Sequence, residues 1–386
     1  MKYIEEFRSG SLARKLAEAI RHEARAERQY RLMEFCGGHT HAIFRFGIQN
    51  LMPENLSFVH GPGCPVCVLP KGRIDNAISL AEKQDVILCT YADLLRVPAS
   101  RQMSLLKAKA NGADIRMVYS TQDALNIARQ NPQRQVVFFA IGFETTTPPT
   151  AVAIAQARCE GLSNFTVFCN HVLTPPAMRH ILQTDDADSA AEGVHIDGIL
   201  GPSHVSTIIG SQAYEFCATD FHTPLVIAGF EPLDVMQSAL MLIRQLNAGT
   251  YKVENEYTRV VTREGNTKAQ KLMHDVFELR PGFEWRGLGM LPDSALQIRD
   301  DYADFDAERR FDMPAIATSD VKGCLCPAIL RGLNKPTDCK LFGTVCTPEN
   351  PMGACMVSSE GACAAYWSYG RFRKPDVSPS TQEIAA

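Results

Sequence analysis

Between residues 85 and 243, six short runs of β-branched and aromatic residues break at Gly, Pro, Asn or Ser, and helical spacing usually follows. They are "DVILCTYADLLRVP" (85–98), "ADIRMVYS" (113–120), "QVVFFAIGFETTTPP" (135–149), "FTVFCNHVLTPPAM" (165–178), "IDGILGPSHVSTIIG" (196–210) and "TPLVIAGFEPLDVMQSALMLI" (223–243). Near-continuous apolar strands need cover on both faces, and strand–helix alternation supplies it through parallel crossovers. The pattern predicts doubly wound α/β sheets, whose ligand site lies on loops leaving the carboxyl ends of strands.

Upstream, "SLARKLAEAIRHEARAERQYRLM" (11–33) reads as one amphipathic helix with Leu12, Leu16 and Ile20 on its apolar stripe. Three segments then recur in order. "FCGGHTHAI", "GPGCPVC" and "VILCTYADLLRVP" are matched by "FCNHVLTPP", "GPSHVSTIIG" and "LVIAGFEPLDVMQS". A duplication of this kind predicts two similar α/β lobes around a central cleft, residues 1–150 and 151–250, with the cysteine chemistry on the first. The alternative is chance similarity, since strand–turn–helix units share composition. Residues 247–266 read as a polar link, 267–279 as a helix, and 251–372 as a small C-terminal region. The last residues, 373–386, have the composition of a frayed tail.

A chain of 386 residues, 45% hydrophobic, can fill more than one core. Its net charge of −4, with both signs interspersed, argues against nucleic-acid binding or a polybasic membrane anchor. The start "MKYIEEFRSG" has no cationic, apolar signal pattern and no window is long enough to span a bilayer, so a cytoplasmic location is expected. Thirteen cysteines in a reducing compartment point to metal binding or redox chemistry, and the odd count opposes full pairing.

Six of them, Cys324, Cys326, Cys339, Cys346, Cys355 and Cys363, fall in irregular Gly- and Pro-rich turns without a paired knuckle of the kind zinc favours. Such spacing suits an iron–sulfur cubane. Two thiols are then surplus, as redox partners or as buried small hydrophobes. A second constellation joins "EFCGGHTHAI", with Cys36, His39 and His41, to "HGPGCPVC", with His60, Cys64 and Cys67. The Cys-x-x-Cys could be half a zinc site, a redox dithiol or a soft ligand pair for iron. For each of the three histidines alone, a structural hydrogen bond to turn backbone is the stronger reading. Cys89, Cys159, Cys169 and Cys217 read as core residues. In "AIGFETTTPPTAVAIA" a strand ending at Ile141 presents Glu144, Thr145 and Thr146 before a helix opened by Pro148 or Pro149. That loop is either an anion-binding helix start or a cap with a surface glutamate.

Taken together, "FCGGHTHAI", "HGPGCPVCV", "GFETTTP" and "ILRGLNKPTDCKLFGTVCTPENPMGACMVSSEGACAAY" resemble the HypD family of hydrogenase maturation proteins, over about residues 30 to 370. The resemblance implies two similar α/β lobes around a cleft and a third region binding a [4Fe-4S] cluster. It also implies a scaffold for the Fe(CN)2CO unit of nickel–iron hydrogenases, working with a small HypC-type carrier and a HypE-type donor of cyanide. By resemblance, Cys36 is the iron-site cysteine, Cys64 and Cys67 the Cys-x-x-Cys, His39 the motif histidine, and Glu144 with Thr145 and Thr146 the acidic loop. The cluster ligands favoured are Cys324, Cys339, Cys346 and Cys363, with Cys326 and Cys355 in the same motif. Pro327 stands where the pattern leads one to expect glycine. Glu144 or His39 would move the proton when an S–CN bond is cleaved reductively. The rival readings are an iron–sulfur thiol-disulfide reductase, which does not need Cys36, and a zinc-stabilised interaction module.

Overall fold

The computed structural model describes residues 4–186, 195–313, 316, 318 and 320–370. The tail expected at 373–386 lies outside them. Strands β1 (Tyr30–Glu34) and β2 (Leu56–His60) begin a first sheet. β3 (Val86–Thr90), β4 (Ile115–Met117), β5 (Gln135–Gly142) and β6 (Phe165–His171) form a second, in the order β4-β3-β5-β6. The chain then returns to the first with β7 (Gly198–Gly201), β8 (Leu225–Ile227) and β9 (Val253–Asn255), giving β2-β1-β7-β8-β9. All neighbours in both sheets are parallel. These are the two α/β lobes expected, each sheet having helices on both faces.

Alternation along β1 illustrates why. Tyr30 and Leu32 pack with helices Gly10–Glu23 and Pro232–Ala248, while Met33 packs with helix Thr174–Asp186 on the opposite face. In the second sheet Phe168 and Cys169 likewise point into different cores.

The lobes are not the two halves of the chain. A boundary at 150 would cut helix Thr147–Glu160, which covers the second sheet, and β9 carries the first lobe beyond 250. The recurring segments therefore do not mark a duplication. Phe35 and Cys36 sit where β1 runs into a helix, whereas Phe168 and Cys169 are inside β6; "VILCT" is β3 of one sheet and "LVI" is β8 of the other. The shared words reflect the common composition of strand–turn–helix units.

Three further expectations change. The helix predicted over 11–33 stops at Glu23, and Leu12 is 46% exposed; residues 30–34 are claimed by β1, an interior strand of the first sheet between β2 and β7. The charged stretch after 276 is an antiparallel hairpin, β10 (Phe277–Trp285) and β11 (Gly289–Ile298). Its buried Trp285 donates its indole N–H to Ser294 at 2.9 Å, and it packs along β6. Cys159 is exposed, unlike the buried Cys89, Cys169 and Cys217. The hairpin is tied to the second lobe by charge. Arg73, from helix Lys71–Ala81, donates to Glu308 at 2.5 Å, and Arg280 of β10 donates to the same carboxylate.

Candidate functional site

Because β1 and β2 are parallel neighbours with Glu34 opposite His60, the loops leaving them run side by side. Gly37 donates its N–H to the Gly63 carbonyl at 3.2 Å, and Gly61 to the Glu34 carbonyl at 2.9 Å. A Cβ on Gly63 would lie 2.5 Å from the Cys36 nitrogen, so only glycine lets these loops touch. Cys36 caps helix Gly37–Phe46 and is buried. Burial, followed by the nearby carboxylate of Glu360, pushes its thiol up to about 12, against the opposing pull of the Gly38 and His39 N–H groups.

Cys64 and Cys67 are joined as a disulfide with a Cα–Cα separation of 5.3 Å. The short helix between them, Pro65–Val68, packs on β5 of the second sheet and on the C-terminal segments Cys326–Leu330 and Ala354–Met356. The pair thus sits where both lobes and the C-terminal region meet. A small cavity reaches it, lined by Thr40, His60, Cys64, Cys67 and Glu360 among others.

Sequence reasoning missed the group beside that cavity. Glu34 is 1% exposed and receives three bonds: from His60 Nδ1 at 2.9 Å, from the Cys36 N–H at 3.1 Å, and from the Thr40 hydroxyl. Burial raises its carboxyl above the ordinary range, and its hydrogen-bonding neighbours, His60 foremost, oppose the shift. The available signal was a glutamate closing an apolar strand, "YRLME", in phase with the buried Tyr30 and Leu32.

His39 has a structural place. Its Nε2 lies 3.1 Å from the Ala228 carbonyl and 3.0 Å from Ser203 Oγ, pinning its helix to the end of β8. Burial pushes the imidazole down to about 4, so it is neutral at physiological pH. His41 is half-buried, its ring edge-on to Tyr369. Glu144 belongs to the second sheet's lobe, not to that of Cys36, and it is buried. It accepts the Thr174 N–H at 2.8 Å and hydroxyl at 3.0 Å, at the start of helix Thr174–Asp186, and burial pushes it up to about 7. The two lobe edges nonetheless converge: Glu144 and Cys36 both add to the burial that raises the phenol of Tyr214. Thr146 turns its hydroxyl back to the carbonyls of Ile141 and Phe143, at 3.3 and 3.1 Å, rather than outward to an anion. Thr145 is half-buried beside it.

The six C-terminal cysteines gather behind the disulfide, all but Cys324 fully buried. Cys326 and Cys355 hydrogen-bond each other, with the Arg286 guanidinium nearby helping to lower the Cys326 thiol. That leaves Cys324, Cys339, Cys346 and Cys363, the number a cubane takes. Cys363 is raised well above the thiol range by burial and then by Cys326, Cys346, Cys324 and Cys339, so these sulfurs face common ground. Met352 donates its N–H to Cys346 Sγ at 3.3 Å, and a Cβ on Gly353 would fall 2.7 Å from Cys324 Sγ. Among the described residues no three His, Cys, Asp or Glu side chains close around a single ion as they stand. Four thiols are the number of protein ligands that a [4Fe-4S] cluster takes, one at each corner. Pro327 is accommodated in the first turn of helix Cys326–Leu330, where a missing N–H leaves no bond unmade.

Residues 11–370 match the family model described as "HypD: Hydrogenase formation hypA family". The chain is 63% identical over 373 residues to the hydrogenase maturation factor HypD2 of Bradyrhizobium diazoefficiens, covering 97% of this chain and 98% of the relative. With hydrogenase maturation factor HypD of Cupriavidus necator it shares 62% identity over 97% and 98% of the two chains. With HypD of Escherichia coli K12 it shares 49% over 96% and 98%. Chain-long identity at this level, together with the two parallel-sheet lobes and the cysteine sites, means that the protein belongs to the HypD family.

Proposed function

We propose that this chain acts in the maturation of nickel–iron hydrogenases as the scaffold on which the Fe(CN)2CO unit is assembled, and as the redox device that frees cyanide for it. The observation that carries this reading is one cavity lined by Cys64 and Cys67, by Gly37 next to Cys36 and by Ala362 next to Cys363, with the helix of the Cys64–Cys67 pair packed on the segments that hold Cys326 and Cys355. Relatives named as hydrogenase maturation factors support the setting.

The iron under construction is the substrate. Cys36 would bind it with a thiolate of a HypC-type carrier, and a HypE-type donor would bring cyanide as thiocyanate. A thiol held at about 12 must lose its proton as iron binds. Glu34, hydrogen-bonded to His60 and to the Cys36 N–H, is the adjacent acceptor.

Cleavage of the thiocyanate balances as R–S–CN + 2 R′–SH → R–SH + CN⁻ + H⁺ + R′–S–S–R′. The S–CN bond breaks, Cys64 and Cys67 become oxidised, and the disulfide seen here corresponds to that product. Reopening it takes two electrons and two protons. Cys324, Cys339, Cys346 and Cys363 would hold a [4Fe-4S] cluster, which when bound supplies single electrons. The Cys326–Cys355 thiols lie on the two segments that pack against helix Pro65–Val68, as a dithiol between that quartet and the disulfide.

The test is an infrared spectrum of the anaerobically purified protein, co-expressed with its carrier, where metal-bound cyanide and carbon monoxide absorb. Bands that vanish in Cys36→Ala are expected. A brown, carrier-bound protein without such bands would instead favour a thiol-disulfide reductase.

A further inference from the structure

Beside the C-terminal cysteine region opens a cavity of about 720 Å³ that the chemistry above does not use. Lys71, Arg96, Arg101 and Lys107 line it against one carboxylate, Glu349, in a chain whose net charge is −4. A second carboxylate, Asp75, lies under its rim and accepts the Ser100 N–H and hydroxyl at 2.9 and 2.7 Å. Leu106 stands among the cations, 48% exposed. Arg101 and Gln102 carry φ of 52° and 58°, a left-handed pair of the kind that clusters at functional sites.

Two wall residues touch the cysteines directly. The Val321 carbonyl accepts the Cys324 N–H at 2.9 Å, and Met352 donates to Cys346 Sγ at 3.3 Å. Cys324 is also the one C-terminal cysteine that is not fully buried. A cationic face with an apolar contact, one hydrogen bond away from the Cys346 thiol and from the backbone of Cys324, is built for an electron donor of opposite charge.

We propose that this face docks a small acidic protein that carries one electron at a time. The inference rests on the reading that electrons reach Cys64–Cys67 by way of the C-terminal cysteines. Two docked donors each lose one electron, and those two electrons with two protons convert the Cys64–Cys67 disulfide into two thiols. Opposite charge speeds encounter and fixes orientation, so the contact weakens with salt.

The probe is a plant-type [2Fe–2S] ferredoxin titrated calorimetrically, in its oxidised form, into the full chain at low and high ionic strength. The variant is Arg101→Glu/Lys107→Glu. Arg96 is left intact because it donates to the Pro348 and Val357 carbonyls of the C-terminal region, and Lys71 because it is buried, whereas Lys107 donates within its own loop region, to the Gln102 carbonyl at 2.6 Å. Arg14→Glu/Lys15→Glu, on exposed positions of helix Gly10–Glu23, is the control, with circular dichroism to verify folding. Binding should weaken about tenfold or more in the groove variant and at high salt, and be unchanged in the control. Disulfide opening by reduced ferredoxin should slow in parallel, while opening by dithionite, a small reductant, should not. Equal ferredoxin affinity in variant and wild type overturns the proposal, as does a variant that loses only affinity for inorganic phosphate. Groove-dependent binding with disulfide opening unaffected by Cys339→Ser would leave the docking face standing and refute the electron route.

Discussion

Glu144 shows how one side chain can look catalytic in sequence and be partly structural in space. Its carboxyl holds the start of helix Thr174–Asp186 while burial keeps its proton affinity high, at about 7. A carboxyl raised from 4.5 in the unfolded chain makes the native state bind more protons between those values. Stability contributed this way is complete below about 4.5 and declines as pH rises through 7. The decline amounts to roughly 3 kcal/mol at most. Urea midpoints measured from pH 5 to 8 should therefore fall more steeply in wild type than in Glu144→Gln, which cannot ionise. Parallel curves would show that Glu144 is not the group responsible. His39, which burial pushes down from 6.5 to about 4, adds a slope of the opposite sign between those values, stability rising with pH, and does so equally in wild type and Glu144→Gln.

At the scale of elements, the hairpin β10–β11 and helix Lys71–Ala81 are bound through one carboxylate. Glu308 receives both Arg73 and Arg280, and although burial opposes it, those guanidinium groups hold it down at about 2. Removing the shared partner leaves two largely buried cations facing each other, a mechanism that costs about 3–5 kcal/mol. Glu308→Ala should lower the urea midpoint by that order with little response to added salt. A loss under about 1 kcal/mol, the range of exposed pairs, would mean that the hairpin is held by Trp285 and Phe283 instead. The two loops after β1 and β2 depend on a different device, glycine at 61 and 63, because side chains there would collide with the backbone of 34–36.

At the scale of the whole molecule, the six C-terminal cysteines divide, under the proposed function, into a quartet and a pair, and the division is testable. Cys339→Ser or Cys363→Ser should abolish the brown chromophore and bound sulfide. Cys326→Ser should keep both yet leave the Cys64–Cys67 disulfide unopened by ferredoxin, as thiol counting would show. Loss of the chromophore in Cys326→Ser would move that residue into the quartet. What the sequence determined by itself was local. Apolar runs broken at Gly and Pro fixed the strands β3 to β8, and the glycines in "FCGGH" and "HGPGC" marked close backbone approach. Cysteine type and spacing marked the chemistry. Strand pairing was decided only in three dimensions, since β7 lies beside β1 across more than 160 residues and no local pattern encodes that choice. The same pairing buried Glu34 against His60, assigned Glu144 to the opposite lobe, and turned a charged stretch into the β10–β11 hairpin. Periodicity reports which face of an element is apolar, but the partner that covers it comes from the fold.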